Sequence, residues 1–135
     1  MKITGGCQCG DIAYEAEINP DNVMICHCTD CQRMSGTAFR TIVPNVRAED
    51  FQLTRGELKI YVKTAESGAE RPQAFCGRCG THIYATGVGD AAAVLGLRAG
   101  TAAQADGLVP KREIWRRSAL HWVGDLGVEH SKETM

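Results

Sequence analysis

A chain of 135 residues with a net charge of −1 is long enough for one domain and gives no broad electrostatic reason to expect nucleic-acid binding. The first residues show no secretory signal, and no stretch approaches the roughly 18 apolar residues of a membrane helix, so we expect a cytoplasmic protein without a membrane anchor. Seven cysteines, an odd number, favour metal binding over a disulfide framework.

Short segments with strand patterns follow one another along the chain. Residues 12–18 place apolar side chains at every second position, which predicts a half-buried strand. Residues 38–43 predict a strand that ends at Pro44. Residues 51–54 and 58–63 alternate again, and their connection through Gly56 predicts a hairpin. Further short strands are predicted at 81–84, 91–97 and 113–115, and loops at 64–72 and 99–107.

One short helix is predicted within this series of strands. Thr29 is expected to cap its first turn and Gly36 to end it. No longer helical periodicity is visible. The sequence therefore predicts a mostly-β single domain over residues 1–128, held together by metal, and a polar C-terminal tail at 129–135.

The cysteines fall into groups of two, three and two. They are Cys7 and Cys9, then Cys26, Cys28 and Cys31, then Cys76 and Cys79. The two flanking pairs are each followed by a glycine and together supply four sulfurs, the number that closes a structural zinc site. The central run supplies three sulfurs and leaves one position for water or substrate, as catalytic zinc sites do. His27 or His82 could instead close the central site and make it structural.

Other residues near the central cysteines are weaker candidates. Arg33 and Ser35 follow the run and could meet a substrate carboxylate or hydroxyl, but we interpret them as solvated surface residues. Trp115 and Trp122 are expected to pack in the core or at its rim.

Three cysteine blocks, in this order, resemble the glutathione-dependent formaldehyde-activating enzyme family, which includes centromere protein V. The blocks are GCQCG at 6–10, CHCTDC at 26–31 and FCGRCGT at 75–81. Pro110, the segment 113–115 and Trp122 resemble the C-terminal signature of the family.

This resemblance implies a complex-β fold of the Mss4-like class with two zinc ions per chain. By the same resemblance Cys7, Cys9, Cys76 and Cys79 hold a structural zinc, and Cys26, Cys28 and Cys31 hold a catalytic zinc. The implied activity is addition of glutathione to formaldehyde, which gives S-(hydroxymethyl)glutathione and is classed as a carbon–sulfur lyase reaction. The implied partners are a small thiol, with glutathione as the first example, and an aldehyde.

The alternative function is a zinc-stabilised module that binds protein or nucleic acid without chemistry. Arg112, Arg116 and Arg117 form a small basic cluster that would serve it. The nearly neutral charge of the whole chain argues against nucleic acid as the partner.

Overall fold

The computed structural model of the chain describes residues 1–124, which form two β-sheets and one α-helix. The strands are β1 (Lys2–Gly6), β2 (Ala13–Glu17), β3 (Met24–Cys26), β4 (Arg40–Arg47), β5 (Phe51–Arg55), β6 (Leu58–Thr64), β7 (Glu70–Cys76), β8 (His82–Ala85), β9 (Val94–Arg98) and β10 (Arg112–Ile114), and the helix is α1 (Thr29–Ser35). The prediction of a mostly-β single domain is confirmed. The predicted boundary at 128 and the tail at 129–135 lie outside the described residues.

The two sheets differ in size. The small sheet has three strands in the order β1-β2-β5, and the large sheet has seven in the order β10-β3-β4-β9-β8-β7-β6. Every neighbouring pair is antiparallel except β10 and β3, which run parallel. Sequence neighbours such as β5 and β6 belong to different sheets, so the chain crosses between the sheets more than once.

One hydrophobic core lies between the sheets. Ile3 and Tyr14 of the small sheet belong to the same buried cluster as Val43, Ile83 and Leu97 of the large sheet. Burial raises the pKa of the Tyr14 phenol. Full burial of a large apolar side chain contributes about 1.5–3 kcal/mol, so this shared cluster holds the two sheets together.

Strand β4 is longer than the sequence predicts. It continues through Pro44 to Arg47 because its register against β9 shifts between Val43 and Val46, and Asn45 adopts a φ of 57°. A bulge of this kind accommodates proline, which has no N–H to donate to the neighbouring strand. The prediction that the strand ends at Pro44 is therefore wrong.

The predicted hairpin of residues 51–54 and 58–63 is also wrong, although both strands exist. β5 pairs with β2 in the small sheet, and β6 pairs with β7 in the large sheet. The alternation of side chains reveals which face of a strand is buried but not which strand lies beside it. Gly56, with a φ of 84°, lies at the crossing between the two sheets.

The sequence does not predict three of the strands, β1, β3 and β7. β7 starts at Glu70, inside the predicted loop 64–72, and a turn at 65–69 joins it to β6. The strands predicted at 12–18, 81–84, 91–97 and 113–115 are present as β2, β8, β9 and β10, with slightly different bounds.

The predicted helix is present, but its first residue is capped differently. The sulfur of Cys28, rather than Thr29, accepts a hydrogen bond from the Cys31 N–H at 3.2 Å. Gly36 ends the helix as predicted, with a φ of 68° and its N–H donating to the Gln32 carbonyl at 2.9 Å. A predicted metal-ligand residue therefore also fixes the start of α1.

Candidate metal centres and the adjoining cavity

Four cysteines from two distant parts of the chain meet at one point. The sulfurs of this four-cysteine cluster lie within 4.8 Å of one another, and the cluster consists of Cys7, Cys9, Cys76 and Cys79. The Cys7 and Cys9 sulfurs are 3.5 Å apart, and those of Cys9 and Cys76 are 3.7 Å apart. Sulfurs bound at about 2.3 Å in a tetrahedron around one zinc ion stand about 3.8 Å apart. The cluster therefore fits a four-coordinate zinc.

The four-cysteine cluster connects the two sheets. Cys7 and Cys9 lie between β1 and β2 of the small sheet, whereas Cys76 is the last residue of β7 in the large sheet and Cys79 lies between β7 and β8. The Gln8 N–H also donates to the Thr81 hydroxyl at 3.2 Å, which joins the same two turns. A metal ion bound by this cluster would therefore hold the two sheets together.

Local hydrogen bonds favour thiolate at two members of the four-cysteine cluster, Cys7 and Cys79. The Ile12 N–H donates to the Cys7 sulfur at 3.2 Å. The hydroxyl and N–H of Thr81 lower the pKa of the exposed Cys79 thiol to about 5. Cysteine binds metal as thiolate, so these donors favour metal binding.

The three-cysteine cluster, Cys26, Cys28 and Cys31, is built from the end of β3 and the first turn of α1. Its sulfurs also lie within 4.8 Å of one another. Within residues 1–124, no histidine, aspartate, glutamate or further cysteine joins them. The hydrogen bond between the Cys26 and Cys31 thiols lowers the pKa of Cys26 and raises that of Cys31. Three soft sulfur donors at this spacing fit zinc.

The two histidines considered as further ligands lie elsewhere. The His27 ring is fully buried and packs against Phe39, with 5.8 Å between ring centroids. Its Nε2 is 3.6 Å from a Glu113 carboxylate oxygen, too far for a direct hydrogen bond. The His82 ring stacks on Phe75, and burial, together with Arg40 and Arg98, lowers its pKa. Neither ring belongs to a cysteine cluster.

A cavity of about 210 Å³ opens beside the three-cysteine cluster. All three cysteines line it, together with apolar side chains that include Met24, Met34 and Ile42. A second cavity, of about 550 Å³, shares Cys28, Asp30, Lys63 and Trp115 with the first and extends to Glu66 and Arg117. The three-cysteine cluster therefore forms part of the wall of a cavity that a small molecule can enter. The four-cysteine cluster does not line this cavity.

Sequence reasoning missed the cationic side chains of the first cavity. These are Arg40, Lys63, Arg71 and Arg98. They lie on four strands of the large sheet and are far apart in the sequence. The sequence feature that could have indicated them is a charged residue next to a buried strand, such as Arg98 directly after the apolar run 91–97. Arg33, the nearer candidate, is exposed and does not line the cavity.

Two of these arginines are buried. Arg40 and Arg98 are each 7% exposed. Burial, and then the charge of Arg40, lower the pKa of Arg98 to about 10. The Nη2 of Arg98 donates to the Gln73 amide oxygen at 2.9 Å, and its buried Nε has no partner in the described part of the chain.

The basic cluster near the C-terminal end of the described chain is engaged internally. Arg116 pairs with Glu113 at 3.3 Å, and Arg117 pairs with Glu66 at 3.0 Å. Arg112 donates to Asn22 at 2.9 Å. Trp115 lines both cavities and stacks under Arg117, whose guanidinium carbon is 4.8 Å from the ring centroid. Trp115 and Trp122 are both exposed, which excludes packing in the core and leaves the rim, the other predicted position, for both side chains.

No helix within residues 1–124 has both the length and the apolar character needed to span a bilayer.

Two comparisons relate the chain to known proteins. Residues 2–118 match the family model described as glutathione-dependent formaldehyde-activating enzyme. The fold is similar to the crystal structure of a Rhodobacter sphaeroides protein, with a TM-score of 0.57 and 20% identity over 73% of this chain and 85% of that chain. The predicted fold class, a complex-β arrangement of the Mss4-like type, is confirmed. The chain belongs to the glutathione-dependent formaldehyde-activating enzyme family.

Proposed function

We propose that the protein is a zinc-dependent enzyme of the carbon–sulfur lyase type that acts on a thiol–aldehyde adduct. The observation that carries this proposal is that Cys26, Cys28 and Cys31 gather their sulfurs at the wall of a cavity. All three members of this cluster line the cavity, whereas Cys76 is the one member of the four-cysteine cluster that lines any of the cavities described within residues 1–124. The family match supports the activation of formaldehyde by glutathione as the first reaction to test.

In this proposal the two clusters have different tasks. Cys7, Cys9, Cys76 and Cys79 would hold a structural zinc, and Cys26, Cys28 and Cys31 would hold a catalytic zinc. A zinc ion held by these three cysteines would supply a Lewis-acidic centre that favours the thiolate form of a substrate thiol. The three protein thiolates leave that centre with one net negative charge, which suits activation of a thiol more than strong polarisation of a carbonyl.

The side chains around the three-cysteine cluster support negative sulfur. The Cys31 N–H donates to the Cys28 sulfur, and the charge of Arg40 lowers the pKa of Cys31 against the larger effect of Cys26. Met24, Met34 and Ile42 form apolar walls that limit the access of water. In the reaction the substrate sulfur forms a bond to the aldehyde carbon, and the thiol proton ends on the carbonyl oxygen. The reverse reaction breaks the same carbon–sulfur bond.

Glutathione is the first thiol to try rather than the assigned substrate. A cavity of about 210 Å³ lies below the roughly 300–1,000 Å³ that encloses a drug-sized ligand. A tripeptide thiol would therefore extend from the first cavity into the adjoining one, past Lys63 and Trp115.

The test follows formation and breakdown of the adduct by exchange NMR, because the uncatalysed reaction is already appreciable. Zinc-loaded protein with glutathione and formaldehyde is expected to exchange faster than both zinc-stripped protein and Cys28→Ser. We expect Cys28→Ser to lose roughly tenfold or more of the rate enhancement, since one ligand of the proposed catalytic ion is removed.

Arg55→Gln is the matched control, since Arg55 is exposed and lies outside the cavity. It should keep the wild-type rate. If no thiol–aldehyde pair distinguishes the wild-type protein from Cys28→Ser and from zinc-stripped protein, the enzyme proposal fails and the binding module becomes the better interpretation.

The binding-module alternative has no specific observation in its favour. The arginines that would serve nucleic acid, Arg112, Arg116 and Arg117, are engaged by Asn22, Glu113 and Glu66. Cytoplasmic location and a domain over residues 1–128 remain predictions from the sequence.

A further inference from the structure

The cavity beside the three-cysteine cluster carries an excess of positive charge. Among residues 1–124, four cationic side chains line it but only one acidic side chain, Asp30. Lys63 already pairs with Asp30 at 2.7 Å. Among residues 1–124, no carboxylate lies within ion-pair distance of Arg40, Arg71 or Arg98. The three arginines are therefore available to an anion from outside the chain.

The three-cysteine cluster offsets only part of this charge. With a divalent ion bound, three thiolates carry one net negative charge, against three unpaired arginines. Burying guanidinium groups without a charged partner is costly, and Arg40 and Arg98 are each 7% exposed. Buried guanidinium groups are retained where a ligand supplies the opposite charge and the missing hydrogen bonds. The buried Nε of Arg98 has no hydrogen-bond partner within the described residues.

The three arginines are carried by strands of a single sheet. Arg40 lies on β4, Arg98 on β9 and Arg71 on β7, all in the large sheet. Arg71 is directly opposite Lys63 of β6, and Gln73, two residues further along β7, accepts a hydrogen bond from Arg98. Guanidinium groups placed by the register of one sheet are well suited to recognise a planar, bidentate acceptor.

We propose that this cavity selects a compact thiol that carries a carboxylate, with the sulfur at the three-cysteine cluster and the carboxylate bound by the arginines. This inference rests on the proposed function, because it takes the substrate to be a thiol. A cavity of about 210 Å³ has room for an acid of a few carbon atoms. The carboxylate and the sulfur must then be close together in the molecule.

The experiment compares three thiols that share the unit HS–CH₂–CH₂ and differ in their end group. They are 3-mercaptopropionate, 2-mercaptoethanol and cysteamine, each titrated by calorimetry into zinc-loaded protein without aldehyde. We expect the acid to bind roughly ten- to a hundredfold more tightly than the alcohol, and the amine most weakly. A nearby ammonium lowers the pKa of a thiol and a carboxylate raises it, so the supply of free thiolate would favour the opposite order.

Arg71→Gln tests the assignment with little risk to the fold, since Arg71 is only partly buried and its guanidinium makes no hydrogen bond within residues 1–124. It should remove most of the preference for the acid, with a much smaller loss of affinity for 2-mercaptoethanol, which has no carboxylate. Arg71→Lys should restore part of the preference. Arg55→Gln, an exposed arginine outside the cavity, should keep all of it. Zinc content and the melting temperature are measured for each variant.

Equal affinity of the wild-type protein for the acid and the alcohol would overturn the inference, and this comparison needs no variant. So would an acid preference that survives both Arg71→Gln and Arg98→Lys. An acid preference in a protein that fails to catalyse thiol–aldehyde exchange would support the anion site and reject the proposed function. Catalysis without a preference for the acid would support the proposed function and reject the anion site.

Discussion

At the scale of single residues, two glycines show how position decides the cost of a side chain. Gly56 and Gly68 have nearly the same backbone conformation, with φ of 84° and 87°. A Cβ on Gly56 would press against the carbonyl oxygen of Asp11 and lie 2.7 Å from the Ile12 side chain. A Cβ on Gly68 would meet nothing within 4 Å. Only Gly56 combines left-handed backbone with a crowded surrounding.

Gly56→Ala should therefore destabilise the protein more than Gly68→Ala. Both variants incur the cost of a left-handed alanine, about 1–2 kcal/mol, and Gly56→Ala adds the displacement of backbone at the crossing between the sheets, for about 3–5 kcal/mol in all. Urea unfolding of the zinc-loaded proteins measures both values. Equal losses in the free energy of unfolding would mean that the backbone at Asp11 shifts at little cost, contrary to the packing seen around Gly56.

At the scale of elements, the two cysteine clusters differ in how much of the fold they connect. The turns after β1 and β7 bring together the two sheets through the four-cysteine cluster. The three-cysteine cluster involves only β3 and the neighbouring helix α1. Loss of metal from the first cluster should therefore loosen the whole domain, whereas loss from the second should affect one corner.

Cys79→Ser is expected to unfold or aggregate the protein, and Cys28→Ser to leave it folded with less zinc. Cys79 is exposed, so the loss cannot come from missing core packing and has to come from the metal. Thermal melts followed by circular dichroism, together with zinc analysis, distinguish the two variants. A lower melting temperature for Cys28→Ser than for Cys79→Ser would reverse our assignment of the structural and catalytic clusters.

The elements also show what the sequence could and could not predict. Alternation within β2 and the apolar run of β9 identified strands, because each side chain records its own burial. The partner of β5 was not predictable, because a strand with one buried face fits several neighbours. The cysteines of the site were visible through their spacing. The arginines of the cavity were not, since Arg40, Arg71 and Arg98 are brought together only by the order of strands in the large sheet.

At the scale of the whole molecule, the proposed metal content gives a further test. We expect about two zinc ions per chain in freshly purified protein, held with unequal strength. The cavity gives a chelator access to the three-cysteine cluster, whereas the four-cysteine cluster ties the sheets together. Elemental analysis during chelation should show one ion leaving while the circular dichroism spectrum is unchanged, and the second leaving only with unfolding. Release of both ions at one rate would contradict an open three-cysteine site.

The separation of the four-cysteine cluster along the chain has a consequence for how the protein is made. Cys26, Cys28 and Cys31 lie within six consecutive positions and can gather as soon as α1 has formed on the ribosome. Cys7 and Cys9 must wait until Cys76 and Cys79 have been synthesised, so closing that cluster needs a long loop and most of both sheets. We therefore expect the three-cysteine cluster to assemble earlier in translation than the four-cysteine cluster that joins the sheets.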